Sequence, residues 1–411
     1  MRTSFGRHGG GSARKIAAGM CAAAITLCTA LPLSAQRQQS QQAQPNPPGW
    51  VFTPGISVAE TFDSNVLLSG EGDDITSDFL TAVTPRGALT YRGRQTTFSL
   101  DYRGSYQLYQ ELSALNAFDQ RAMLSAEHRL SPYVSLFVRN SLSKTPTTDE
   151  LDIPGVVFRR QGVLMDDFSA GVDARFSKRS SLRAAYVFQW LRFDGMSEAQ
   201  AADALRRGGY ANGGRAEYSY RLNPRVSVGA EFEGRRANVD VTRDFDVQNL
   251  LGTVDVQLSP RFSFSGAAGY SWLGTDTGPE RRSAPAFRVN LSRSGQRLGW
   301  SVGYRKSFLP SFGFGGTFQN QEFEASFIAP LTRRLDLSGN LSIRDSDPLA
   351  SELPGLRSLW VRSTVSYLAT RWMRIEGFYA AALQDARRAG GQIDRSRLGV
   401  QVVTSTRMRV R

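Results

Sequence analysis

From about residue 50 onward, apolar and polar residues alternate almost one by one. Val226, Val228, Ala230 and Phe232 interleave with Ser227, Gly229, Glu231 and Glu233, and Leu335, Leu337, Gly339, Leu341 and Ile343 interleave with Asp336, Ser338, Asn340, Ser342 and Arg344. A repeat of two sends every second side chain to the same face of a strand, so each segment predicts a strand with one apolar face and one face that wants water. The pattern recurs in Phe98, Leu100, Tyr102, Tyr106 and Leu108, in Leu182, Ala184, Tyr186, Phe188 and Trp190, and in Leu298, Trp300, Val302 and Tyr304.

Tight turns punctuate these segments at Arg92-Gly93-Arg94, Ser131-Pro132-Tyr133, Ser177-Lys178-Arg179-Ser180, Asn223-Pro224-Arg225, Ser259-Pro260-Arg261, Ser294-Gly295-Gln296-Arg297, Leu331-Thr332-Arg333-Arg334 and Thr370-Arg371. They alternate with longer polar loops near 63–77, 145–161, 194–210 and 274–283, giving a hairpin repeat. With one strand before them (about Val51 to Phe62) and one after (about Ser396 to Val410), the count is about 18 strands, an even number as in single-chain bacterial barrels. The chain ends Met408-Arg409-Val410-Arg411 without the aromatic residue that commonly closes such barrels, so the last strand is the least marked and 16 strands is the alternative. The expected fold is all-β, a transmembrane antiparallel β-barrel. In lipid every backbone polar group needs an internal partner, and only closure removes the two sheet edges. A soluble sandwich or propeller also alternates, but strands this long on an exported chain favour the barrel.

Export is read from the N-terminus. Arg2, Arg7, Arg14 and Lys15 precede the apolar stretch Ile16 to Leu31, and Leu33-Ser34-Ala35 offers a cleavage site, so residues 1–35 are expected to be a signal peptide. Both cysteines, Cys21 and Cys28, fall inside it, and the mature chain would carry no disulfide or thiolate site. Residues 36–49 form a Gln/Pro-rich arm expected to be disordered, and 50–411 the barrel. Beyond the signal no apolar run approaches the length of a transmembrane helix. The expected location is the outer membrane of a Gram-negative bacterium, with long loops outside and both termini in the periplasm.

The formal net charge of +13 is carried largely by arginine. If the apolar face meets lipid, the polar face turns Asp101, Arg103, Arg121, Glu127, Asp173, Arg183, Glu231, Glu233, Arg235, Arg288, Arg305, Asp336 and Arg344 into the lumen. These residues either line a pore favouring anionic or polyhydroxylated solutes, since guanidinium pairs well with carboxylate and phosphate, or form wall salt bridges that select nothing. The loop Thr145 to Gln161, with Asp149, Glu150, Asp152, Arg159 and Arg160, either folds inward as a constriction or lies on the surface as a solvated loop, the plainer reading. Ser197 to Arg207 predicts a short helix capped by Ser197. Tyr109, Tyr133, Phe262, Trp272, Trp360 and Trp372 suit interfacial girdles. The pairs Arg206/Arg207, Arg235/Arg236, Arg281/Arg282 and Arg387/Arg388 are expected near the outer end, where lipopolysaccharide is anionic.

Catalysis finds no constellation. His128 is the one histidine outside the signal; it aligns with Ala122, Leu124 and Ala126 on the apolar face, as an interfacial residue. No phosphate loop, Cys/His cluster or nucleophile elbow is present. Glu71, Asp73, Asp74 and Asp78 lack the Gly and distal Glu of a calcium loop, so neither metal nor cofactor is expected. The arm is too short for the plug of a TonB-type transporter, and nucleic acid is a poor partner for an exported chain with no basic-aromatic module.

Val58-Ala59-Glu60-Thr61-Phe62-Asp63-Ser64-Asn65-Val66, followed by Asp78-Phe79 and Val83-Thr84-Pro85, resembles the entrance of the outer-membrane β-barrel porin 2 family, in which an aromatic-Asp-x-Asn step precedes a Thr-Pro in the second strand. The resemblance spans residues 50 to 411. It implies an outer-membrane barrel, in some relatives associated with exopolysaccharide synthesis and secretion, and no catalytic residues. The reading is therefore a channel for small polar or anionic solutes or for exopolysaccharide export, the latter with periplasmic export machinery as a partner. A non-conducting structural or adhesive barrel is the alternative.

Overall fold

The computed structural model describes residues 49–70, 74–150, 156–194, 208–239, 244–275, 282–311, 316–349, 355–386 and 391–410. The long strands are β1 (Gly49–Asp63), β2 (Asp78–Arg92), β3 (Thr96–Tyr109), β4 (Ala117–Arg129), β5 (Val134–Thr145), β6 (Val163–Arg175), β7 (Ser180–Phe193), β8 (Gly209–Asn223) and β9 (Val226–Val239). They continue as β10 (Phe245–Gln257), β11 (Phe262–Thr275), β12 (Arg282–Arg293), β13 (Gly299–Ser311), β14 (Gly316–Pro330), β15 (Leu335–Pro348), β16 (Leu356–Thr370), β17 (Met373–Ala386) and β18 (Gly391–Ser405), with a short β19 (Met408–Val410). Each pairs antiparallel with its sequence neighbours, and β1 returns to β18 (Asp63 opposite Arg397, Gly55 opposite Ser405) and to β19 (Trp50 opposite Val410). The sheet is a closed barrel of eighteen long strands.

Two boundaries differ from the sequence expectation. The last strand starts at Gly391 rather than Ser396, and it breaks after Ser405 before β19 resumes pairing with β1. At that break the Thr406 N–H donates to Pro54 O at 3.2 Å. The missing terminal aromatic therefore does not reduce the count to 16.

Strands of 12 to 15 residues exceed the roughly 9–11 that a tilted strand needs to cross a bilayer. Register settles which side each residue takes, because directly opposed residues share a face. Phe62 opposes Phe79 and Leu398, Tyr102 opposes Gly87 and Ala122, and Tyr186 opposes Ala170 and Gly214. Ile56, Val58, Tyr106, Leu136, Phe232, Tyr270, Phe323, Val365 and Val400 on that face are exposed, a wall that suits hydrocarbon. His128 lies on it too, its Nδ1 2.8 Å from Thr96 Oγ1. Eight connections are the tight turns read from the sequence, all at one end. The other end carries the longer loops, and there three apolar clusters lie on the inside.

Candidate functional site

The inner face is set by the same register. Asp101, Arg103, Arg121, Glu127, Asp173, Arg183, Glu231, Glu233, Arg235, Arg288, Arg305, Asp336 and Arg344 all lie on it. Most of its arginines are committed. Arg183 grips Asp173 with two bonds (2.6 and 3.0 Å), and Arg86 holds Asp101 at 2.5 Å. Arg215 and Arg288 share Glu231 (3.0 and 2.6 Å), and Arg235 meets Glu233 at 2.5 Å. Arg305 (3.0 Å) and Arg344 converge on Glu322. Arg103 is different. It stands directly between Arg86 and Arg121 on neighbouring strands and makes no hydrogen bond or ion pair among the described residues. Like charges directly opposed repel; Asp101 on Arg86 and Glu150 on Arg121 offset two of the three. Arg362 on β16 also lacks an ion pair among the described residues and lies over the Phe378 ring at 5.4 Å.

The described parts of the β5–β6 loop, 146–150 and 156–162, pack inside the barrel, which corrects the solvated-surface reading for them. Its first part is a tight turn at Thr148–Glu150 in which Thr148 and Asp149 are buried. Thr148 Oγ1 donates to Val157 O at 2.7 Å and accepts from Arg159 N at 2.6 Å, so the two arms of the loop are stapled together. Val156 packs with Leu191, Phe193, Ala211 and Ala237 on β7–β9. Its neighbours Val157 and Phe158 pack with Leu356, Ala382 and Ile393 on β16–β18, the wall facing β7–β9 around the ring. The loop is thus a strap joined to opposite sides of the barrel.

Polar contacts fix its position. Gln384 accepts from Phe158 N at 2.7 Å and donates to Val156 O at 2.9 Å. Arg395 donates to Asp149 at 2.7 Å, and Arg397 donates to Glu150 at 2.8 Å and to Asp149 at 3.5 Å. Arg121 reaches Glu150 at 3.3 Å. Arg160 donates to Val66 O, Leu115 O and Tyr109 Oη at 3.3, 2.7 and 3.1 Å, tying the strap to the β1–β2 and β3–β4 loops. Arg159 is half-buried, and Asp152 lies outside the described residues. Burial alone would raise the carboxyls of Asp149 and Glu150; the guanidinium groups of Arg395 and Arg397 outweigh it and hold both below the usual carboxylate range.

Several expectations are redirected. Trp360 and Tyr109 are not girdle residues: both face inward, Trp360 against Phe158 at 5.1 Å with Nε1 donating to Asp149 O at 3.3 Å, and Tyr109 beneath Arg160. Their parity matches Arg362 and Gln107, which outweighs their nearness to strand ends. Arg235 and Arg236 cannot act as an outer basic pair, because consecutive strand residues face opposite ways; Arg235 points inward and Arg236 outward to Asp244 at 2.8 Å. The helix expected at Ser197 to Arg207 and residues Glu71, Asp73, Arg206, Arg207, Arg281, Arg387 and Arg388 lie outside the described residues. Asp78 accepts from the amides of Phe79, Glu111 and Leu112.

Sequence reasoning missed Arg395, Arg397 and Gln384. The alternation Ile393, Arg395, Arg397, Gly399 on one face marks the first two, but a strand begun at Ser396 leaves Arg395 outside. Asp63 and Asn65, quoted only for the entrance motif, prove to be fasteners. Asp63 receives Arg395, and Asn65 donates to Asp394 O at 2.9 Å.

No protein-family model matches the sequence, and no curated protein does. Solved structures similar to this chain include Acinetobacter baumannii OccAB4 (10% identity, covering 89% of this chain and 100% of that one, TM-score 0.44). Pseudomonas aeruginosa OpdK with vanillate is 11% identical (87% and 99% covered, TM-score 0.43), and Pseudomonas aeruginosa OpdO 13% (88% and 98%, TM-score 0.45).

Proposed function

We propose that the protein is an outer-membrane channel that passes small polar solutes and favours anions. The observation that carries this is the pair Arg103 and Arg362, guanidinium groups without an ion pair among the described residues on a charged inner wall, with the strap carboxylates of Asp149 and Glu150 already occupied by Arg395, Arg397 and Arg121. An anion reaching the strap therefore meets arginine that no fixed carboxylate has claimed. The strap favours short solutes over a polymer, which weighs against exopolysaccharide as cargo. Short turns at one end favour placing that end, and both termini, in the periplasm.

The test is single-channel conductance of the refolded chain in planar bilayers under a potassium chloride gradient. Stable steps with an anion-favouring reversal potential support the proposal. A second reading, a non-conducting structural barrel, has its own support in the apolar clusters around Val66, Val156 and Phe158 at the long-loop end. A folded barrel that passes no current in either polarity would favour it.

A further inference from the structure

Strands β12 and β13 separate at the long-loop end. They pair over seven residues, from Arg293 opposite Trp300 to Phe287 opposite Lys306. Beyond that fork β12 goes on pairing with β11 up to Arg282, and β13 with β14 up to Ser311, but not with each other. We propose that the notch between them holds one membrane lipid whose head group combines a phosphate with hydroxyl or N–H donors.

Beyond the fork β13 turns into the barrel. Its end lies against β10 and β11, which are not its neighbours in the sheet. Phe308 is 2% exposed among the inward-facing Val247 and Leu273, and its N–H donates to Ser271 Oγ at 3.5 Å. Residues 282–286 of β12 therefore keep one ladder, to β11, and leave the other edge bare. Seven residues of antiparallel strand run about 24 Å and, at a tilt of about 45°, rise about 17 Å, short of an apolar band about 25 Å tall. The bare edge thus begins inside the hydrocarbon, where each unpaired backbone group is costly.

Three features select the occupant. A proline is tolerated in a sheet where its nitrogen faces no partner, so Pro285 marks the open side of β12 and leaves carbonyl oxygen there without an N–H. That blunts the addition of a partner's strand and calls for donors instead. Lys306, the last paired residue of β13, stands on the lipid-facing side with the exposed Phe287 and Tyr304 and makes no hydrogen bond or ion pair among the described residues. A lone lysine there is costly until an anion meets it, and its stem lets the ammonium rise toward the head groups. From the fork toward the short turns, Phe287, Val289, Val302 and Tyr304 form an exposed apolar strip, a track for an acyl chain. A phosphate on Lys306, donors on the bare carbonyls and a chain on that strip satisfy all three. The site rests on the barrel spanning a membrane and not on conduction.

The experiment is native mass spectrometry of the folded full barrel in detergent micelles titrated with phosphatidylglycerol, phosphatidylethanolamine or phosphatidylcholine. The first two carry phosphate and donors, the third phosphate alone. Phosphatidylglycerol and phosphatidylethanolamine are expected to saturate at one per barrel and phosphatidylcholine to bind at least tenfold more weakly, with inorganic phosphate in large excess displacing none of them. Lys306→Gln is expected to weaken phosphatidylglycerol at least fivefold while keeping the heat-modifiable gel mobility of a folded barrel. Lys144→Gln is the control, since that lipid-facing lysine pairs with Asp194 at 3.1 Å on a distant strand, and it should change nothing. Phosphatidylcholine binding as tightly as the other two, displacement by inorganic phosphate, or a folded Lys306→Gln barrel with undiminished affinity would each overturn the proposal.

Discussion

Arg395 donates from Nε to both carboxylate oxygens of Asp63, at 3.1 and 3.0 Å, across the seam where the last long strand meets the first. Both side chains are all but sealed from solvent, 2% and 0% exposed, and the same guanidinium holds Asp149 of the strap. Removing one partner from a buried pair strands the other charge, at a cost of about 3–5 kcal/mol. Arg395→Met is expected to destabilise the folded barrel by that order, read as a lower urea midpoint of the heat-modifiable band.

Acid should not release the strap until late. Asp149 and Glu150 have folded-state pKa values below their ordinary ones, so their contribution to stability is complete above the unfolded values, about 3.9 and 4.3, and is lost as pH falls through the lower folded values. Conductance is expected to be constant from neutral pH to about pH 5 and to change only below about pH 4. A midpoint near pH 6 in single-channel recordings would contradict the tether described.

Replacing Arg103 removes a cation without breaking an ion pair. Arg103→Gln is expected to leave stability within about 0.5 kcal/mol and to shift the reversal potential toward cations. Arg288→Gln, which frees Glu231 from one of two partners, is the contrasting variant: it should shift selectivity further and also cost stability.

Phe158 is 2% exposed and packs on Trp360. Phe158→Ala removes the strap's largest apolar anchor. A loss of about 3–5 kcal/mol is expected if the wall cannot collapse around the gap, together with more frequent brief current openings as the strap loosens.

Close strand approach makes some glycines obligatory. A Cβ at Gly213 would overlap the carbonyl oxygen of Gly234, and one at Gly269 that of Leu250, whereas one at Gly377 meets nothing within 4 Å. Gly213→Ala and Gly269→Ala are expected to reduce the folded fraction on refolding gels, with Gly377→Ala as the neutral control.

Much of the barrel could be read directly from alternation, because a period of two is local: Val226 to Glu233 declares its faces without help from any other strand. The eight tight turns were equally local. The strap was not. What draws Asp149 inward is Arg395, 246 residues away, and Gln384 meets Phe158 across 226. A run such as Thr147-Thr148-Asp149-Glu150 looks hydrophilic when the arginines that neutralise it lie at the other end of the chain. Trp360 was misassigned for a related reason: position along a strand suggested an interface, while parity with Arg362 gave the true face.

The seam carries a consequence for biogenesis. Asp63 belongs to the first strand, Asp149 to the β5–β6 loop and Arg395 to the last long strand, so the cluster that pins the strap comes together only when the ends of the sheet have met. A half-zipped intermediate holds Asp149 without Arg395 and Arg397 and Glu150 with Arg121 alone, and draws them inside less strongly. Sealing the wall and seating the strap are therefore one event, a form of proofreading in which a chain that has not finished closing cannot present a finished strap.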